Sequence, residues 1–138
     1  MGVSFDNGLT TFSAALDKLA ALPDSVVSEM LTAGGEVIAE AHRAKLEQYG
    51  AVDTGQLRDS IKVQRPNVRA GTVEIKPTGS RKRGNTTTRN EEIGYIVEHG
   101  KKGMPGRPWM REGNADSEDK AVDAAQNVFN AYLDKIGL

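Results

Sequence analysis

The strongest periodic signal runs from Asp24 to Tyr49, where Val27, Met30, Leu31, Ile38 and Ala41 recur at three- and four-residue steps before Gly50. This spacing gathers the apolar side chains on one face of a long helix, which Asp24 or Ser25 can cap and a glycine can end. Gly34 and Gly35 fall inside it; a glycine pair costs stability there, so it marks a kink or the close approach of another backbone. Upstream, Phe12, Leu16 and Leu19 predict a first helix over Leu9–Leu22 that stops before Pro23.

Beyond Gly50 the period changes. Asp53-Thr54-Gly55 reads as a turn in which Thr54 can cap one helical turn, Gln56 to Ser60. Ile61 and Val63, then Val73 and Ile75, alternate with polar residues and predict a hairpin joined through Pro66–Gly71 and closed by Pro77. Residues 78–90 contain no apolar side chain, which predicts a long, mobile, basic loop. Ile93, Ile96 and Val97 sit at helical spacing and predict a short helix, although as a run they would also suit a buried strand. Met104–Arg111 is a glycine- and proline-rich elbow, and a final helix should start near Ser117, with Val122, Ala125, Phe129, Tyr132 and Ile136 on one face. The chain of 138 residues shows no repeat and reads as one domain over 1–138.

Charge adds what periodicity misses. The net charge of −1 conceals −5 over residues 1–40, +8 over 41–111 and −4 over 112–138. An acid, base, acid order suggests that oppositely charged faces meet, between copies of the chain or between its basic part and nucleic acid. Arg81, Lys82, Arg83 and Arg89, with Lys101 and Lys102, are the residues able to make such a partner or DNA contact. Aromatic content of 5% argues against a base-stacking platform. No apolar run is long enough to cross a bilayer and the first residues lack a signal-peptide pattern, so synthesis in the cytoplasm and no membrane partner are expected.

The sequence offers little reaction chemistry. The zero cysteines remove thiolate zinc sites and cysteine nucleophiles. His42 is expected as an exposed or half-buried helix residue. Glu98 and His99 are adjacent, so their side chains diverge on a helix or strand, and no second histidine stands at metal-ligand spacing. No serine lies in a nucleophile-elbow context and no glycine set forms a phosphate loop. No catalytic, cofactor or metal site is expected, and the chain does not read as an enzyme. Trp109 can be either core or an interface anchor.

Three segments carry a resemblance. Thr54-Gly55-Gln56-Leu57-Arg58-Asp59-Ser60-Ile61 resembles the TG-x-L-R-x-S-I signature of small proteins of long-tailed phages that complete the tail, form the neck or join head to tail. Tyr95-Ile96-Val97-Glu98-His99-Gly100 resembles that family's Y-x-V-E-F-G-T segment, and Gly106-Arg107-Pro108-Trp109-Met110-Arg111 its Q-P-F-M/L-R element. The order agrees across roughly residues 25–135; His99, Lys101 and Gly106 depart from the usual Phe, Thr and Gln.

The resemblance implies an α+β fold, with long helices packed on a small, mainly antiparallel sheet. It makes Thr54, Gly55, Leu57, Arg58, Ser60, Ile61, Tyr95, Glu98, Gly100, Pro108 and Trp109 structural motif residues. Leu57 and Ile61 would face the core, and Arg58 would pair with an acid, Glu98 being one candidate. It implies a structural virion protein of a phage or prophage, at the head–tail junction or tail end, acting as part of a ring. The implied partners are copies of itself and neighbouring head-connector and tail proteins. The competing reading is a small nucleic-acid-binding module that uses the basic middle block.

Overall fold

A computed structural model describes residues 1–6, 8–14, 21–50 and 55–137, with backbone alone at Arg83. Its elements are β1 (Gly2–Asp6), β2 (Leu9–Ser13), α1 (Asp24–Gln48), α2 (Gln56–Ser60), β3 (Ile61–Val63), β4 (Thr72–Pro77), β5 (Ser80–Arg83), β6 (Thr86–Arg89), α3 (Asn90–His99), β7 (Gly100–Lys101), β8 (Met104–Pro105) and α4 (Trp109–Lys135). The main sheet is antiparallel in the order β1-β2-β4-β3, and β5-β6 and β7-β8 are separate two-stranded ribbons. The fold is α+β: two long helices lie on one small sheet.

The long helix and the hairpin form where periodicity places them. Along α1 the buried positions are Val27, Met30, Leu31, Gly34, Gly35, Ile38, Ala39, His42 and Leu46, a stripe at helical spacing. The residue before the helix is Pro23, and no side chain caps it. The helix runs unbroken through Gly34-Gly35, and the neighbours that require glycine are side chains. A Cβ on Gly34 would collide with the Phe12 ring, and one on Gly35 would lie 2.9 Å from Val63. The glycines thus let α1 settle onto the sheet, where Phe12, Ile61, Val73 and Ile75 are at most 1% exposed. Burial of each such side chain is worth roughly 1.5–3 kcal/mol.

α4 lies beside α1 in the opposite direction. The C-terminal end of α1 meets the N-terminal end of α4 through the Lys45–Asp116 ion pair at 2.9 Å and the contact of Gly113 with the His42 ring. Ala121 and Ala125, both fully buried, allow close approach further along α4, whereas Ile136, expected on the buried face, is 48% exposed.

Three expected elements differ. Leu9–Ser13, read as the start of a helix, is strand β2, with Thr10, Phe12 and Ala14 buried at period two; residues 15–20 of that reading lie outside the described residues. Residues 78–90, read as an irregular loop, contain the β5-β6 hairpin, in which Arg83 pairs with Thr86 around Gly84-Asn85. The final helix starts at Trp109, two turns before Ser117, so the elbow shortens to the β7-β8 ribbon and Gly106–Pro108. Gly55, in left-handed geometry at φ 74°, precedes α2; Thr54, expected to cap that turn, lies outside the described residues.

Candidate assembly site

The three signature segments meet at one corner, although the first lies far before the other two in the chain. Leu57 and Trp109 pack against Gly94, where an added Cβ would sit 3.1 Å from both Trp109 and Pro77. Trp109 is fully buried, and its indole N–H donates to the Gly94 carbonyl at 3.0 Å. The backbone N–H of Arg107 donates to the Val97 carbonyl at 2.7 Å, tying the elbow to α3. Gly100, at φ 80°, abuts the backbone of Gly106 so closely that neither position has room for a side chain. In the first segment the Ser60 hydroxyl donates to the Leu57 carbonyl at 2.6 Å, and Leu57 and Ile61 face the core. Pro108 stands directly before α4, where its fixed φ suits a helix start.

Glu98 does what the sequence did not suggest. Its side chain is buried, and its Oε1 accepts the N–H of Met110 at 2.6 Å, in the first turn of α4. A carboxylate there satisfies an otherwise unpaired donor and complements the positive end of the helix dipole. Burial pushes its pKa up, against the backbone N–H groups of Met110 and Arg111 and the charge of Arg111, which favour the ionised form. Oε2 makes no hydrogen bond; Arg111 Nε stands 3.7 Å away. Arg58, for which Glu98 was a candidate partner, pairs instead with Glu47 at 2.8 Å and Asp59 at 3.0 Å, because α2 faces the end of α1.

His42, expected at least half exposed, is fully buried. Its Nε2 lies 2.7 Å from Asn114 Oδ1, while the Asn114 amide donates to the Thr10 hydroxyl at 2.9 Å. The ring also meets Trp109 edge-on, with centroids 5.2 Å apart. With Asn114 accepting, Nε2 carries the proton; Nδ1 has no partner. Burial lowers the pKa to about 4, the Asn114 bond opposing and Arg43 assisting. These perturbed groups join helices to the sheet and to each other, and a perturbed pKa here reflects packing.

Outside the corner, exposure separates the remaining residues. Tyr95 is 53% exposed and stacks obliquely on exposed His99, with Phe5 and Arg111 alongside. Lys82, Arg89, Lys101 and Lys102 are exposed on the two ribbons that flank α3. Arg81 turns inward, its Nε 3.3 Å from Asn90 Oδ1, and Arg89 pairs with Glu92 at 3.2 Å. Asn90 pins the base of the hairpin: its backbone N–H donates to the Gly79 carbonyl and its amide to the Thr78 carbonyl, both at 2.9 Å. Among the described residues, no three His, Asp or Glu side chains gather to hold a metal, and no helix is long and apolar enough to cross a membrane.

Signature residues that serve as helix cap, backbone contact and core wedge, beside exposed basic ribbons, define a structural subunit with an α+β fold. Residues 10–100 match the model of the HK97-gp10-like family, described as a candidate bacteriophage tail component, and the chain belongs to that family. Membership makes it a phage tail-related structural protein of the virion. No curated protein and no solved structure matches it.

Proposed function

We propose that this chain completes the phage tail or joins it to the head, as one subunit of a ring that touches further copies of itself and neighbouring head-connector and tail proteins. The observation that carries the reading is the meeting of the three signature segments at one buried corner, where Trp109, Glu98 and the Gly100–Gly106 contact hold α3 against α4. A rigid corner of this kind presents the basic ribbons and the Tyr95 patch at fixed positions, as a subunit with several neighbours requires. Family membership over residues 10–100 supports the same role.

The test is deletion of the gene from its phage or prophage, followed by electron microscopy of induced lysates. Filled heads and separate tails, converted to joined particles when the gene is supplied in trans, are the expected result. Normally joined particles in the deletion strain would refute the proposal. DNA contact by the basic ribbons is the second reading, favoured by four basic residues in residues 80–89 with no acid among them. Duplex binding that falls steeply as salt rises would support it.

A further inference from the structure

The hairpin β5-β6 stands apart from the core. It has no apolar residue, and an isolated two-stranded ribbon is marginal in water. Alternation sorts its side chains: Arg81 and Thr88 are half-buried, whereas Ser80, Lys82, Thr87 and Arg89 are exposed. Lys82 opposes Thr87, so Lys82 and Arg89 are diagonal neighbours on the outward face, about 7–8 Å apart, Arg89 having an exposed contact with Glu92 at 3.2 Å that docking would have to exchange.

A complementary surface lies elsewhere, between α1 and α4. There a groove of ≈ 560 Å³ has Val37, Ala41 and Ala44 among its lining, with Glu36 and Glu40 on the α1 side. These two glutamates are exposed and one helical turn apart, about 6 Å along the axis. Glu36 has no ion pair among the described residues, and Glu40 has only the exposed contact with Arg43 at 3.3 Å. Lys45 in the lining is neutralised by Asp116, and Lys120 on the α4 side is the one remaining base, so the lining holds three acids against two bases. α1 and α4 together hold eleven acids against five bases, while the hairpin is wholly basic.

From this match the geometry points to a docking of the outward hairpin face of one copy into the α1–α4 groove of the next, with Lys82 and Arg89 against Glu36 and Glu40. The hairpin and groove share no residue, so each copy can dock on one neighbour while receiving another; such head-to-tail contacts close into rings or run on as filaments. Threonine methyls and the stems of Lys82 and Arg89 suit the alanine and valine of the groove. The inference deepens the proposed ring and rests on it only for its biological setting.

Charge exchange tests it. The hairpin variant Lys82→Glu/Arg89→Glu and the groove variant Glu36→Lys/Glu40→Lys are compared with wild type by sedimentation velocity, with thermal melts to verify folding. Each variant alone should self-associate about tenfold less for each reversed contact, on the order of a hundredfold for both. Mixing the two should restore assembly, because reversed hairpin then meets reversed groove and native meets native; so should combining all four changes in one chain. Lys82→Glu and Glu36→Lys, each alone, give milder versions if a double variant melts early. The inference is overturned if folded variants associate like wild type, if the mixture fails to recover, or if wild type stays monomeric at every concentration. Loss of duplex DNA binding by the hairpin variant with self-association unchanged would also overturn it and assign the hairpin to DNA. Recovery on mixing, in a protein whose gene proves dispensable for joining, would uphold the contact and refute only the proposed role.

Discussion

At neutral pH the ring of His42 is uncharged, with Nε2–H on Asn114 and Nδ1 facing no acceptor. Adding a proton at Nδ1 places a charge and an unsatisfied donor in the core between Trp109 and the sheet. Its pKa accordingly falls from 6.5 to about 4 on folding. Between these values the unfolded chain binds the proton more tightly, so stability is intact above pH 6.5 and declines as pH falls through about 4. The full difference corresponds to about 3 kcal/mol, of which about 2.5 kcal/mol is lost by pH 4.5. That is a large part of the 5–15 kcal/mol typical of a domain. Glu98 acts in the opposite sense, so the effect is best read as a difference between wild type and His42→Gln, whose amide can still donate to Asn114. Urea unfolding at pH 7.5, 6.5, 5.5 and 4.5 measures it. Wild type should lose about 2.5 kcal/mol more than the variant across this series. A stability difference that stays constant with pH would show that His42 is not a buried neutral ring and refute the reasoning.

Three further perturbations probe the same framework. Trp109→Ala should cost about 3–5 kcal/mol by leaving a cavity and removing the indole bond to the Gly94 carbonyl, and wild-type tryptophan emission should be blue-shifted and resist quenching; a red-shifted, easily quenched spectrum would contradict the buried position. Glu98, with its raised pKa, is bound more tightly by a proton in the fold, so its contribution is complete below pH 4.5 and diminishes as pH rises. Glu98→Gln should therefore gain on wild type as pH rises from 4.5, and equal pH slopes in urea melts would count against this. Gly34→Ala, which improves intrinsic helix propensity, should nonetheless destabilise by roughly 1–3 kcal/mol because its methyl meets the Phe12 ring; a higher melting temperature would show that the ring can move aside.

The elements legible from the sequence are those whose apolar residues carry their own period. α1 and the β3-β4 hairpin follow directly from Val27 to Leu46 and from Ile61 to Ile75, whereas α3 buries Asn90, Gly94, Val97 and Glu98 and exposes Ile96, so its apolar run alone fits a strand as well as a helix. Where a polar residue occupies a buried position the pattern breaks. Thr10 is fully buried because Asn114 satisfies its hydroxyl, so Leu9–Ser13 shows no apolar alternation although Thr10 and Thr11 favour a strand. The start of α4 was hidden similarly. Gly113, Asn114 and Ser117 are poor helix formers, yet they allow close packing on α1 and reach His42 and, through the Ser117 hydroxyl, the Gly113 carbonyl. Two signals were available: His42 lies four residues beyond Ile38 on the apolar stripe, and Gly84-Asn85 before a run of threonines favours a tight hairpin. The partners of Glu98 and His42, 12 and 72 residues distant, leave no trace in local pattern.

These distant bonds determine how the matched segment is to be understood. The family match covers residues 10–100, whereas α4 begins at Trp109. Within the matched segment, Thr10 and His42 depend on Asn114, Glu98 holds the N–H of Met110, and the Gly94 carbonyl accepts the Trp109 indole N–H. Without α4 the part of α1 that faces it would be exposed, along with a histidine, a carboxylate and a threonine that have no alternative partner among these bonds. The matched segment is therefore only part of the folding unit, and α4 supplies both its second helical layer and the polar contacts that close its core. The same dependence makes the groove between α1 and α4 a product of the complete fold: it exists only where α4 packs on α1, and the corner around Trp109 anchors the start of α4, which links the packing of the signature segments to the surface on which a neighbouring copy would dock.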